Sequence, residues 1–468
     1  LKFTVQDMTD PGKALKWLVF HIALGAASSF VKYIFIAFFW TVAYVNLKAA
    51  FRDLKKGDAE TFTLTMAYLL GNELINRIVQ GSPFIPVEFS KYFCVFLWGY
   101  AAMIRKGAFH GLGLAMVIMA LPGALYDQSD MVVWADIVNC YLAPLGLAIG
   151  IGFWGNTRPS STLNAKTMHL IWLGCVAVLI CMYIRTPKFE DINFSLAATK
   201  QTTGGVSSNQ AATILGLGMF LSFFSFYRKK NFAGRRIFDI LAIMAFALQG
   251  LLTFSRGGML VGILAIILLI LSPSGEGDTA EQKAKTRNQF VKNLGYIAMG
   301  AIFLVLAFFV VDGLTGGLLS LRYRGETAGT LSGTADKSLN KVTTGRSDVV
   351  EYDLQIWEKY PVFGGGAGSS MYLRLPMEGV LIAPHVEFSR LLAEQGVFGL
   401  VFFILILFLG LMIWLRRKIV PDSDLLMALY FIGLTTSFHA AMRTFVTPFF
   451  IAISAMALAV QPKHKGQT

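Results

Sequence analysis

The chain has 468 residues, 55% of them hydrophobic and only 15% charged, with a mean hydropathy of +0.59. An ordinary soluble domain is about 25% charged, so one or two water-soluble domains are excluded, and 39 Phe, 15 Tyr and 8 Trp exclude a disordered chain. The formal charge of +13 sits in short clusters between apolar runs (Arg52/Lys55/Lys56, Arg105/Lys106, Arg228 to Arg236, Lys283 to Lys292, Arg416/Arg417/Lys418, Lys463/Lys465); this is the cytoplasmic-loop pattern of a polytopic membrane protein, with no nucleic-acid partner.

A membrane helix needs about 20 mostly apolar residues. In chain order this predicts spans at 33–50, 62–80, 88–104, 111–126, 134–153, 168–184, 210–227, 237–254, 257–271, 294–312, 391–415, 425–439 and 445–460. The stretch 17–31 reads as a half-span or an interfacial helix. The expected fold is all-α, with about 12 (12 to 14) transmembrane helices and one large extracytoplasmic loop. Residues 1–312 form transmembrane helices with short loops, 313–388 a large, partly helical loop, and 389–468 the C-terminal transmembrane helices. The four cysteines (Cys94, Cys140, Cys175, Cys181) lie in apolar runs and read as packing residues.

Placing the basic clusters inside makes 237–271 a hairpin whose turn, Thr253 to Gly258, lies outside. The loops 185–209 and 313–388 fall on the same face. With seven Lys/Arg against eight Asp/Glu, the long loop carries a formal charge of −1. The outer face therefore gathers Arg185, Lys188, Lys200, Arg256, Arg322, Arg324, Arg346, Arg374, His385 and Arg390. Cations on the face that the topology rule disfavours suit an external anion.

Three segments stand out. Arg256 sits in a Ser-Arg-Gly-Gly turn, where its forked donors suit a phosphate and the glycines allow close approach; the alternative is an arginine anchoring the hairpin at the headgroups. Gly345-Arg346-Ser347-Asp348 opens a helical pattern capped by Ser347 or Asp348 and ended by Pro361. The run Gly364-Gly365-Gly366 then reads either as an anion-binding turn or as a hinge. His385 lies where the loop re-enters the membrane, and histidine suits removal of a proton from a hydroxyl. Glu387 or Glu394 is a candidate to orient its ring, or both cap the helix start.

Glu73 and Arg77 have the spacing of a pair inside a span. Asn209 is a candidate cap or headgroup contact at a helix start. His439 and Arg443 read as packing residues. No zinc spacing, Walker motif or Gly-x-Ser-x-Gly elbow is present in the sequence, so a mechanism with no metal and no cofactor is expected.

His385-x-Glu-Phe-x-Arg-Leu-Leu-Ala-Glu-Gln-Gly-x-Phe-Gly-Leu400 resembles the C-terminal signature of the O-antigen ligase/polymerase superfamily. Thr253 to Gly258 and Gly205 to Gln210 resemble two upstream motifs of that family, and Gly345-Arg346 with Trp357, Pro361 and the glycine run resembles the start of its large loop. The resemblance implies a metal-independent, inverting glycosyltransferase of the GT-C type in the bacterial inner membrane, with a periplasmic active site among membrane lipids. The donor would be an undecaprenyl-pyrophosphate-linked glycan and the acceptor a hydroxyl of lipid A-core. Alternatives are an O-antigen polymerase or protein O-oligosaccharyltransferase of the same superfamily and, from a different class, a lipid-linked sugar transporter. By position, Arg256, Arg346 and His385 would be catalytic, while Arg185, Lys200, Asn209, Glu387 and Arg390 would contact substrate. Where many members carry an Arg before an Asn-Pro-Asn segment, this chain has Lys200, Gln201 and Ser208-Asn209-Gln210, which leaves Lys200 and Arg185 as the candidates for that cation's place.

Overall fold

The computed structural model describes residues 2–105, 107, 109–126, 129–196, 199–271, 280–334, 345–382 and 384–460; the side chains of 280–290, 292 and 293 are also left undescribed. Of the basic clusters, Lys106, Lys463, Lys465 and the Lys283 to Lys292 side chains lie outside the described residues, as does His464.

The regular structure among the described residues is helical. Its principal elements are α1 (Ala14–Phe30), α2 (Lys32–Lys55), α3 (Glu60–Gly71), α4 (Glu73–Val79), α5 (Phe89–Ile104), α6 (Gly111–Leu125), α7 (Trp134–Trp154), α8 (Ser161–Arg185) and α9 (Ser208–Tyr227). They continue with α10 (Arg236–Leu252), α11 (Arg256–Leu271), α12 (Ala280–Leu314), α13 (Leu318–Tyr323), α14 (Arg346–Lys359), α15 (Glu387–Leu415), α16 (Ser423–Ser437) and α17 (Val446–Ser454). Among the described residues six helices are long and apolar enough to cross a membrane: α2, α7, α8, α9, the Leu294–Leu314 part of α12, and α15. Each expected apolar run is helical. The run 62–80, expected as one span, is divided at Asn72 into α3 and α4.

Helices satisfy their own backbone, which lipid cannot do, and small residues let them approach one another. α8 packs on α1 and α3, α9 on α10 and α11, α6 on α7 and α15, and α17 on α7 and α16. Polar side chains fix some of these seams. Trp172 Nε1 donates to Ser222 Oγ (2.8 Å), Trp154 Nε1 to Thr63 Oγ1 (3.0 Å) and Tyr430 Oη to the Ile406 carbonyl (3.0 Å). Cys94, Cys175 and Cys181 are unbridged and buried, as packing residues are.

The basic clusters gather at one end of the bundle. There Arg228 pairs with Asp424, Arg105 donates to the Asn156 carbonyl (3.0 Å), and Arg416 donates to the Leu458 carbonyl (2.7 Å). Arg256, Arg346 and His385 come from the opposite helix ends.

The glycine run is neither an open anion cradle nor a free hinge. α15 breaks at Gly396 (φ 58°, ψ −136°), which releases helix carbonyls. Gly365 N–H donates to the Ala393 carbonyl (2.8 Å) and Gly366 N–H to that of Glu394 (3.0 Å), while Val397 N–H returns to the Pro361 carbonyl (2.9 Å). The loop is thus joined to the membrane helix through main-chain bonds. A Cβ at Gly396 would lie 2.5 Å from the Val362 carbonyl oxygen. Gly396→Ala is expected to destabilise the chain by roughly 2 kcal/mol or more. Thermal unfolding in detergent checks this, and an unchanged transition would contradict it.

Candidate active site

α10 and α11 are joined by Thr253, Phe254 and Ser255. Phe254 adopts φ 56°, and Ser255 Oγ donates to Asn209 Oδ1 (2.9 Å), which ties the turn to the first residues of α9. Arg256 then opens α11. Gly257 and Gly258, expected in the turn, are helical and serve contact. A Cβ on Gly257 would lie 2.7 Å from the His439 ring, and one on Gly258 2.2 Å from the Thr213 nitrogen. The glycines thus bring α9, α11 and the segment after α16 together at the root of Arg256.

Arg346 is the first residue of α14. The cap before it is Gly345 at φ 83°, in place of the expected Ser347 or Asp348; the left-handed conformation there suits glycine. Arg346 Nη2 donates to the His439 carbonyl (3.3 Å). Arg322, on α13, donates from Nη1 to the Leu196 carbonyl (2.7 Å). Burial and then the charges of Arg256 and Arg346 lower the pKa of Arg322; burial and then Arg256 lower that of Arg346. Three guanidinium groups from distant segments therefore act on one another. Like charges held where water is scarce cost free energy, which an arriving anion offsets.

His385 is half-buried just ahead of α15. Its pKa is lowered to about 4 by burial, then by Arg443, Arg346, Arg374 and His439. The ring is therefore neutral at pH 7, with a lone pair for a proton. Neither carboxylate expected to orient it does so by a hydrogen bond. Glu387 pairs with Arg390 and accepts the Met442 N–H (3.1 Å), and Arg390 Nη1 donates to Glu394 Oε2 (2.6 Å). This buried triad holds the first turns of α15. Arg374 is fully buried and pairs with Asp353, which also accepts from Ser389 Oγ (2.7 Å), so it fixes the loop and not a ligand.

The segment between α16 and α17 completes the site. The expected span 425–439 ends two residues early, because α16 stops at Ser437, and the chain beyond it is irregular, with Ala441 at φ 52°. Glu73 Oε2 accepts the Phe445 N–H (2.6 Å), and Arg77 Nη2 bridges Glu73 Oε1 (2.6 Å) and the Arg443 carbonyl (3.1 Å). The expected Glu73–Arg77 pair therefore exists and anchors this segment. His439 Nε2 lies 3.2 Å from Thr213 Oγ1, and Arg443 Nη2 donates to the Pro384 carbonyl (2.6 Å), next to His385. A cavity of about 380 Å³ opens here, with Arg77, Glu88, Glu387, Arg390 and Arg443 in its lining.

The structure thus brings the root of Arg256 and the guanidinium of Arg346 to His439, ties Asn209 to the Arg256 turn, and lines the adjoining cavity with Glu387, Arg390 and Pro384, the residue before His385. It does not bring in Arg185, whose guanidinium donates to the carbonyls of Ile78 and Ser29 (the latter at 3.2 Å) and closes two helix ends. Lys200 is exposed, and its side chain has no hydrogen bond or ion pair among the described residues. Arg322 and Arg443 were given no role at the site by sequence reasoning: Arg322 stood only among the outer cations, and Arg443 was read with His439 as a packing residue. Among the described residues no group of three or more His, Cys, Asp or Glu is placed to share a metal ion.

No curated protein sequence matches the chain. Residues 240–404, from the Arg256 hairpin through Arg322, Arg346 and His385 into α15, match a family model described as O-antigen ligase. The match covers 165 of the 468 residues, and over that portion the chain is similar to the O-antigen ligase family.

Proposed function

We propose that this protein transfers a glycan from undecaprenyl pyrophosphate to a hydroxyl of lipid A-core at the periplasmic face of the bacterial inner membrane. The observation that carries this reading is the meeting of Arg256, Arg322 and Arg346 beside a neutral His385 at the end of the bundle opposite the basic clusters. Forked guanidinium groups suit a pyrophosphate and can stabilise the charge that builds on it as it leaves. In the proposed step the acceptor oxygen attacks the anomeric carbon as the bond from that carbon to the pyrophosphate oxygen breaks. The electron pair leaves with the pyrophosphate, and His385 takes the hydroxyl proton. One displacement inverts the anomeric centre, and no metal enters the step.

The reading is tested with purified chain, lipid-linked glycan and lipid A-core, with and without a chelator. Transfer at equal rates in both is expected. Strict dependence on a divalent ion contradicts the mechanism, and elongation of the lipid-linked chain in place of transfer to lipid A-core points to a polymerase.

A further inference from the structure

His385 is acted on by Arg443 and Arg346, and the residue before it, Pro384, lines the cavity of about 380 Å³, within the range of roughly 300–1,000 Å³ found for small-molecule sites. Most cations of the cavity are balanced. Lys91 lies 2.8 Å from Glu88, Arg77 pairs with Glu73, and Arg390 pairs with Glu387 and Glu394. Arg443 differs. Among the described residues no carboxylate pairs with its guanidinium, whose hydrogen bond goes to the Pro384 carbonyl (2.6 Å). Glu387 and Glu88 act on it only from beyond ion-pair distance, and a partly buried guanidinium with no carboxylate in direct contact suits an incoming anion.

Its setting is rigid. The bonds from Glu387, Arg77 and Glu73 to Met442 N–H, the Arg443 carbonyl and Phe445 N–H fix the backbone on both sides of this residue. The groups acting most strongly on Arg443 are Cys140, Arg390, Glu387 and Glu88, and Arg443 is the charge acting most strongly on His385. It thus lines the cavity and acts on the histidine beside it.

We propose that this cavity is the acceptor subsite, and that Arg443 selects an acceptor sugar bearing an anionic substituent, phosphate or carboxylate. The sugar's nucleophilic hydroxyl is then directed toward His385, while the donor pyrophosphate occupies the three arginines. Naming the ligand an acceptor rests on the transferase reading; binding of an anionic sugar at Arg443 does not.

The test is binding of glucose 6-phosphate, glucose and inorganic phosphate to the full chain in nanodiscs. The expected result is a preference of roughly tenfold or more for glucose 6-phosphate over glucose, the size of one charge-assisted bond. Arg443→Gln keeps a donor for the Pro384 carbonyl and loses the preference, whereas Arg256→Ala retains it. Equal affinities in the wild type, an intact preference in Arg443→Gln, or a loss confined to Arg256→Ala would each overturn the proposal. A measurement on the unaltered chain guards against a misfolded variant: glucose 6-phosphate protects Arg443 from phenylglyoxal, read by peptide mass spectrometry. Protection of Arg256 and Arg346 alone would overturn it as well. In transfer assays Arg443→Gln raises the acceptor KM and leaves the donor KM unchanged; the reverse counts against it. Absence of any transfer defeats the transferase reading, while the binding arm still decides the site.

Discussion

Arg256→Ala is expected to lower glycan transfer by roughly a hundredfold or more, the loss typical when one preorganised donor to a developing anion is removed. The side chain springs from the first residue of α11, at a turn locked by Ser255 and Asn209 and packed against His439. Its position is therefore set before substrate arrives, and the mutation removes charge without releasing the turn. Arg256→Lys keeps the charge but not the planar fork, so partial activity is expected. Arg346→Ala is expected to cost a similar factor. The double variant should cost less than the product of the two, because both guanidinium groups serve one leaving group. Transfer rates normalised to membrane abundance check all four, and a wild-type rate in Arg256→Ala would remove that residue from the mechanism.

The second large effect concerns His385. His385→Ala is expected to lower kcat by roughly 10²–10⁴, the usual contribution of a positioned base. The pH profile tests the role more sharply. The base form is the neutral ring, so activity falls as pH drops through the pKa. In the free chain that pKa is about 4, against an ordinary 6.5, because of burial and the cations nearby. The acid limb of kcat/KM therefore lies near pH 4, and kcat/KM is flat between pH 5 and 7. A bound pyrophosphate adds negative charge beside Arg346 and lifts the ring toward its ordinary value, so the limb of kcat lies higher than that of kcat/KM. Coincident limbs at 6.5 would contradict this. Arg346→Gln removes one repelling charge and should move the kcat/KM limb upward.

The helices were legible because runs of twenty apolar residues have few other folds, and the two ends of the bundle because Arg228, Arg416 and their neighbours mark one of them. Arg256, Arg346 and His385 were legible as cations on the opposite end. The failures share a cause: hydropathy carries no signal for backbone geometry inside an apolar run. Gly396 breaks α15 in the middle of such a run, and the purpose of Gly364 to Gly366 appears only once the freed carbonyls are seen. His439 and Arg443 have helical spacing, yet α16 ends before both, so the reading as packing residues came from a helix that is not there. Arg185 and Lys200 were grouped with the site by sign of charge, and only the fold distinguishes a helix-closing arginine from one turned toward a ligand.

The anchoring of the last interhelical segment by Glu73 and Arg77 has a consequence for modularity. The portion that matches the family model, 240–404, holds Arg256, Arg322, Arg346 and His385, but the neighbouring cavity is lined also by Arg77 to Cys140 of the amino-terminal third and by Ala441 to Arg443 after α16. A chimera that swaps only this portion between two such proteins would carry the proposed reactive groups and leave behind part of the neighbouring cavity wall. Exchange of specificity would then require moving both chain ends as well.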